Sequence, residues 1–224
     1  MTGTNPPPPP LHGLPLHAAK AIAVELRNLL EPACAQIEIA GSIRRNARQV
    51  GDIEIVCQPR IEDAPGQLFS NAQESKLERR LKTLFELSDR LSLDPELKRN
   101  GPRYKRLLYR GTPIDLFCVA PPAQWGALLA IRTGPAGFSK LLVTKREFGG
   151  AMPAGIEQRD GHLVRRSGGI LEPVETPSEA EYFRVLGIPC FEPQARTEAN
   201  LLRYLRQHQP PEPQYSRTRS WRPR

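Results

Sequence analysis

Asp52 and Glu54 stand two residues apart inside the apolar run GDIEIVCQ. Side chains alternate along a strand, so both carboxylates leave the same face. Like charges held side by side repel and are costly to desolvate. An oxygen-ligated divalent cation is the natural compensation, and such donors suit Mg2+ or Mn2+. A third acid in another strand-like run, Asp115 of PIDLFCVA, would complete a set able to hold two ions. Two ions can clamp the attacking and leaving oxygens of a phosphoryl transfer. Taken alone, an Asp-x-Glu pair also suits an ordinary solvated strand face. The upstream turn narrows the choice. Gly41-Ser42 follows the alternating run QIEIA and opens a helical turn, offering backbone N–H groups and a hydroxyl to an anion. Arg44 and Arg45 add positive charge beside it. A triphosphate site followed by a metal site describes an enzyme that uses nucleoside triphosphates.

The elements around these residues can be read from the chain. Helical spacing of Ala19, Ile22, Ala23, Leu26, Leu29 and Leu30 predicts a helix over His17–Leu30, ended by Pro32. QIEIA and GDIEIVCQ read as strands, with Ile53, Ile55 and Cys57 on one face and Asp52, Glu54 and Val56 on the other. Residues 59–69 read as a loop. Ser70–Leu87 reads as a helix with Ser70 and Gln73 as a capping box. RYKRLLYRGTPIDLFCVA reads as a hairpin turning near Gly111. Helices are expected over Trp125–Arg132 and Phe138–Phe148, and Asp160-Gly161 reads as a second hairpin turn. Thr176-Pro177-Ser178-Glu179 reads as a helix start capped by Thr176. Gly187 and Pro189 end that helix, and Thr197 caps the last one. Strands separated by helices and hairpins without strict alternation give an α+β fold with a mixed sheet.

Composition sets the bounds. The chain has 224 residues, enough for one large domain or a domain with a smaller lobe, and is 39% hydrophobic, so a core can form. Net charge is +8, which suits a polyanionic partner such as nucleic acid, or a generally basic protein. Cys34, Cys57, Cys118 and Cys190 lie far apart without a Cys-x-x-Cys pair, and are expected to be buried free thiols in a reducing compartment. The four histidines show no ligand spacing and are expected to be exposed or capping. Trp125 is expected in the core. No apolar run approaches the ~18 residues of a membrane span and there is no secretory signal, so the expectation is a soluble intracellular protein. NPPPPP reads as an extended, disordered arm over residues 1–13. The end, residues 209–224, reads as a flexible basic tail carrying four arginines and Trp221, either a nucleic-acid contact or a solvated end.

The ordered set of motifs resembles the family X DNA polymerases, the DNA polymerase β-like nucleotidyltransferases. GSIRRNARQVGDIEIV is similar to their Gly-Ser, spacer, Asp-x-Asp/Glu signature. PIDLFCVAPPAQWGALLAIRTGPAGFSKLL resembles their third catalytic strand and the start of the nucleotide-binding lobe. ETPSEAEYFRVLGIPCFEPQAR resembles their C-terminal stretch, and the likeness runs from about Leu14 to Arg206. The resemblance implies a catalytic palm over residues 14–122 and a smaller nucleotide- and template-binding lobe over 123–208. It implies that Asp52, Glu54 and Asp115 bind Mg2+, and that Asp115 helps activate a primer 3′-hydroxyl. Gly41, Ser42, Arg45 and Gly51 would receive the triphosphate, and Thr133 and Gly134 would line the sugar. Lys140, Lys145 and Arg146 would face DNA or form an ordinary charged face.

The implied reaction is gap-filling, template-directed DNA synthesis from dNTPs with pyrophosphate release. The implied partners are a DNA primer/template and dNTP, with a protein partner to supply further DNA grip and the chain itself monomeric. Transfer to another acceptor (an untemplated DNA end, a tRNA or a protein) and a non-catalytic DNA-binding module are the competing expectations. The chain departs from the family pattern at several places. Glu54 stands where Asp is usual, which leaves Mn2+ open as the preferred ion. Ile131-Arg132 replaces a Tyr-Phe pair, Ser139 replaces an Asn, and Leu16 replaces an Arg whose role would pass to His17 or Lys20. Pro135 follows the Gly after which the family has a cis bond. The region before Leu14 is too short for the family's lyase domain, so no lyase activity is expected.

Overall fold

The computed structural model describes residues 13–63, 73–97, 99–167 and 169–208. The Pro-rich arm, His12, the Ser70 cap, Trp221 and the basic tail lie outside the described residues. Strand β1 (Leu14–Pro15) leads into α1 (Leu16–Leu30), and β2 (Cys34–Ile39) runs to α2 (Gly41–Arg44). Strand β3 (Gln49–Val50) pairs with β1, and β4 (Ile53–Pro59) carries the first acids. Strand β5 (Ile61–Asp63) pairs with β6 (Gln73–Ser75), so part of the expected loop is strand. That pairing takes Gln73–Ser75 out of the expected helix. Helix α3 (Lys76–Leu87) therefore starts later, capped by Ser75, whose Oγ accepts from the Glu78 N–H.

Strands β7 (Leu91–Leu93), β8 (Tyr104–Tyr109) and β9 (Thr112–Cys118) complete a five-stranded sheet of order β2-β4-β9-β8-β7. Only β4 and β9 run parallel, so the sheet is mixed and the fold is α+β. The β8–β9 turn is Arg110-Gly111, with φ of 54° and 74°. Two left-handed residues make the primed turn that suits a two-residue hairpin.

The alternation expected for β4 holds. Ile53, Ile55 and Cys57 join Ile114, Leu116 and Cys118 of β9 in a core under α1 and α3, with Ala19, Ala23, Leu26, Leu77 and Leu81. The opposite face carries Glu54, Asp115, Val56 and Phe117. Val56 and Phe117 pack with Ala40, Val119 and Leu129. Leu129 belongs to α4 (Trp125–Thr133), so this helix covers one end of the face and leaves the acids at its border.

Helix α4 also faces a second core through Ala127 and Ala130. That core gathers Phe138 and Leu142 of α5 (Ala136–Val143), Ile156 of β10 (Ile156–Arg159) and Leu163 of β11 (His162–Ser167). Tyr182, Phe183 and Leu186 come from α6 (Glu179–Leu186), and Leu201 and Leu205 from α7 (Glu198–His208). Strand β12 (Ile170–Val174), not foreseen, adds a third strand to the β10–β11 hairpin. Helix α5 stops well short of Phe148. Thr144 turns extended, its Oγ1 donating to the Lys140 carbonyl, and Arg146–Phe148 forms a separate 3-10 turn. Gly150 passes so close to the Thr144 carbonyl that a continued helix has no room.

Two local expectations change. The cis peptide is Pro121–Pro122 and not the one before Pro135. Ser178, not Thr176, caps α6, accepting from the Glu181 N–H at 3.2 Å. Thr176 is diverted to Gln124 at the start of α4, its hydroxyl donating to Oε1 at 2.8 Å. The displaced cap leaves Glu179 free to bridge. Arg44 of α2 donates two hydrogen bonds to Glu179, at 2.9 and 2.6 Å, and Arg196 a third at 2.5 Å. Arg196 is itself 1% exposed and lies over the Phe183 ring. Three cysteines are buried and free as expected, but Cys190 is exposed, on the chain leaving α6 after Pro189. His162 is buried in β11, contrary to the expected exposure, because its position beside the Asp160-Gly161 turn faces inward. No helix among the described residues is long and apolar enough to cross a membrane.

The Glu179 bridge yields a stability prediction. Burial raises the Glu179 carboxyl, but hydrogen bonds from Arg44 and Arg196 outweigh it and hold the group below the usual glutamate range. A depressed carboxyl stabilises the fold above its unfolded pKa, and that contribution is lost as pH falls through the folded value. Glu179→Gln should therefore lower stability by about 1–3 kcal/mol at neutral pH. The gap to wild type, measured by urea unfolding, should close below about pH 4. A constant gap from pH 3 to 8 would refute the charged bridge.

Candidate active site

The parallel pairing of β4 and β9 sets Glu54 directly beside Asp115. Asp52 immediately precedes β4, so the structure brings all three predicted acids to one end of one sheet face. Asp52 is the outermost, its side chain 47% exposed against 13% for Asp115.

A cation sits among them. Arg106 of β8 lies opposite Asp115 in the antiparallel register. Its Nη1 is 2.6 Å from Asp115 Oδ1 and 3.5 Å from Asp52 Oδ2, while its Nε approaches Asp94 at 3.5 Å. Asp94 is held in turn by accepting from the Glu96 and Leu97 N–H groups. Tyr104, on the same face of β8, donates its hydroxyl to Asp115 Oδ1 at 2.5 Å.

The charges do not balance evenly. Burial, with the Asp52 and Asp115 charges, pushes the Glu54 carboxyl up to about 7, although Arg132 and Arg45 pull the other way. Burial and the Asp115 charge also raise Asp52, against Arg106. Burial and the hydrogen bond to Asp115 push the Tyr104 phenol up to about 12.

The Gly41-Ser42 turn adjoins this centre. Ala40 N–H donates to the Glu54 carbonyl at 2.8 Å, tying the turn to β4. Gly41 has φ 58°, and a Cβ there would run into the Glu54 carboxylate. The Arg44 N–H donates back to the Ala40 carbonyl at 3.3 Å, while the Gly41, Ser42 and Ile43 N–H groups stand at the start of α2, where a helix has no internal acceptor. Ser42 is half-buried and Gly51 is exposed, with nothing near the place a Cβ would take.

Other predicted residues are engaged with the protein. Thr133 is buried, its Oγ1 accepting from Arg44 at 2.7 Å and its carbonyl from Arg45 at 2.7 Å. Gly134 adjoins the Phe138 ring and the Ser139 hydroxyl, which donates to the Ile131 carbonyl at 2.6 Å. Arg146 donates to the Leu186 carbonyl at the end of α6, and Lys145 lies 3.7 Å from Glu147. Lys140 is exposed, as are His17 and Lys20. The structure thus gathers Asp52, Glu54, Asp115, Gly41, Ser42 and Arg45. It sets Lys140, Lys145 and Arg146 on α5 and the turn after it, as part of the C-terminal half.

Neither a scan against protein-family models nor a search of the curated proteins finds a match for this chain.

Among the described residues no three His, Cys, Asp or Glu side chains are already gathered as a metal cage. The donor set still fits a hard divalent cation in its chemistry: all oxygen, with Glu54 raised by burial and by the Asp52 and Asp115 charges beyond what Arg132 and Arg45 offset. Arg106 stands in for part of that charge and would have to release Asp115 or Asp52 to a bound ion.

Arg106, Tyr104 and Asp94 were not singled out in the sequence, and Glu179 only as the close of the Thr176 helix start. Arg106 was within reach. The hairpin turn at Gly111 pairs Tyr109 with Thr112, and counting back three residues on each arm brings Arg106 opposite Asp115. Local pattern marks Glu179 only as part of a helix start, whereas its bridging partners lie 135 and 17 residues away.

The raised Glu54 predicts a pH dependence opposite to that of Glu179. The folded chain holds a proton there between the ordinary glutamate range and about pH 7, where the unfolded chain does not. Stability therefore falls as pH rises across that interval. Relative to Glu54→Gln, wild type should lose about 2 kcal/mol between pH 5 and pH 8 in metal-free buffer. Parallel pH–stability curves for the two proteins would remove the basis for a proton-holding Glu54.

Proposed function

We propose that this protein is a nucleotidyltransferase that moves a nucleotidyl group from a nucleoside triphosphate to a hydroxyl. The observation that supports this best is the β4–β9 register. It sets Glu54 beside Asp115, with Asp52 adjacent, next to a turn whose free N–H groups and Arg45 suit a polyphosphate. In this reading the five-stranded sheet with α1 and α3 is the palm, and the second core is the nucleotide-binding lobe. The form favoured by the motif order is a template-directed, gap-filling DNA polymerase using dNTPs and a primer.

The chain's residues divide the work. Ser42 and the α2 N–H groups receive the β- and γ-phosphates, and Arg45, whose guanidinium also holds the Thr133 carbonyl, adds charge beside them. Gly51 leaves the approach open. Asp52, Glu54 and Asp115 would hold Mg2+ or Mn2+, which when bound supplies charge neutralisation for the transferring phosphoryl group. The acceptor oxygen attacks the α-phosphorus, and the bond to the β-phosphate bridging oxygen breaks, releasing pyrophosphate. The hydroxyl's proton passes to Asp115 and on to solvent. Tyr104 and Arg106 fix the Asp115 carboxylate in position. Most of the rate gain in such a site comes from positioning and electrostatics.

One observation favours a second reading, transfer to an untemplated end. Ser139 and Thr133, in the stretch where the resemblance puts base and sugar contacts, are engaged with Ile131 and Arg44. Fewer side chains are left there to check a templated pair.

The deciding experiment supplies a labelled primer, alone or on a gapped template, with each dNTP and NTP and with Mg2+ or Mn2+. Template-matched extension supports the polymerase, and extension of the lone primer supports tailing. Asp115→Asn should reduce either by about a thousandfold or more while melting within a few degrees of wild type. Extension by Asp115→Asn at the wild-type rate would refute the assignment. Independently of turnover, 10 mM Mg2+ should raise the wild-type melting temperature at pH 8 but not that of Asp52→Asn/Glu54→Gln.

A further inference from the structure

The core face of β4 and β9 ends in a pair of thiols. The register that sets Glu54 beside Asp115 runs on through two more pairs to set Cys57 beside Cys118. The cysteines lie three residues past the acids, so alternation turns them to the opposite face. There they join Ile53, Ile55, Ile114 and Leu116 in the first core. Cys57 is 0% and Cys118 2% exposed, and both thiols are free. The Cys57 thiol donates to the Cys118 Sγ at 3.7 Å.

The register suits this pair to a covalent bond. Neighbouring strands lie about 4.8 Å apart, within the Cα separation of about 4.4–6.8 Å that a disulfide accepts. The other cysteines are less well placed. Cys34 of β2 belongs to the same core but stands opposite Pro59, two residues past Cys57. Such diagonal neighbours are about 7–8 Å apart, beyond what a disulfide spans without backbone movement. Cys190 is exposed, on the chain after α6.

We propose that Cys57 and Cys118 are a redox-sensitive staple: a peroxide joins them in a disulfide that ties β4 to β9 behind the acids, and a thiol reductant opens it. Hydrogen bonding to Cys118 and Cys34, together with burial, raises the Cys57 thiol well above its usual range. Cys118 therefore reacts first. Its sulfur attacks one peroxide oxygen, the O–O bond breaks, and a sulfenic acid and one water result. The Cys57 sulfur then attacks the Cys118 sulfur. The S–S bond forms as the S–O bond breaks, and the hydroxyl leaves with the Cys57 proton as a second water. The two sulfurs give up two electrons and the peroxide takes them. The bond closes a loop between residues 61 apart in sequence, which restricts the unfolded chain and so stabilises the fold. The staple needs no nucleotidyl transfer.

The test exposes the folded full chain to hydrogen peroxide, blocks the remaining thiols with iodoacetamide in guanidinium, and digests it with trypsin. Peptides 49–60 and 111–132 each hold one of the two cysteines. They should appear joined, lighter than their sum by two hydrogens, and part again in dithiothreitol. The oxidised protein should melt about 5 °C or more above the reduced one, a rise that dithiothreitol reverses. Cys118→Ala should lose both the joined peptides and the rise; if it fails to fold, the wild-type peptides and melting decide. Peptides that stay separate at a dose that fully oxidises Cys190 would overturn the proposal. So would a bond from Cys34 to Cys57 in their place, joined peptides without the rise, or a rise that persists in Cys118→Ala.

Discussion

Two carboxylates set opposite each other in adjacent parallel strands repel, and much of the molecule is arranged around that repulsion. The β4–β9 register cannot relax it. A slip of one residue would turn Ile53, Ile55 and Cys57 out of the core and Glu54 into it. Burial of the apolar face therefore holds Glu54 beside Asp115. The compensation comes from neighbours: Arg106 and Tyr104 on β8 reach Asp115, while Arg45 and Arg132 stand near Glu54. It is incomplete, since Glu54 still titrates near 7. A fold that served only stability would replace these acids with apolar residues at little cost. In the proposed reading they serve instead to hold an ion, on a face half covered by α4.

The same helix joins the two halves. Leu129 packs against Val56 and Phe117, whereas Ala127 and Ala130 face the second core. Gly126 lets α4 approach the Thr176–Ser178 backbone more closely than any side chain would allow. Arg44 then carries the link into the Gly41-Ser42 turn, holding both Glu179 and Thr133. Arg44 and Arg45 are consecutive, so the lobe's grip on one bears on where the other points.

Most of the elements could be read from local pattern. Period-two alternation placed β4, an apolar run broken by one acid placed β9, and Asp160-Gly161 and Gly111 placed both hairpins. What local pattern missed follows a rule. The helix read from Ser70 begins later because Gln73–Ser75 pairs with β5, so Ser75 caps it, and Thr176 lost the cap of α6 to Ser178 because Gln124 engages it. Helix α5 ended early because Gly150 returns against Thr144. For the site, Asp52 and Glu54 and the turn before them were legible because they lie close together in sequence, and Asp115 because it breaks an apolar run. Arg106 and Glu179 were not, because their meaning lies in cross-strand register and in contacts between the halves.

Glu54 carries the remaining consequence of that geometry. Its longer side chain brings the carboxylate against Gly41, where only a residue without a Cβ leaves room. The acid of the strand and the glycine of the turn are thus fitted to one another. A carboxylate at that place also bears on the N–H groups that would receive a polyphosphate, since both occupy the same few ångströms. A negatively charged Glu54 opposes an incoming phosphate, whereas a protonated or cation-bound Glu54 does not. In the proposed reading, charge neutralisation at Glu54 and anion binding at Gly41-Ser42 would therefore be coupled, each favouring the other by the same factor.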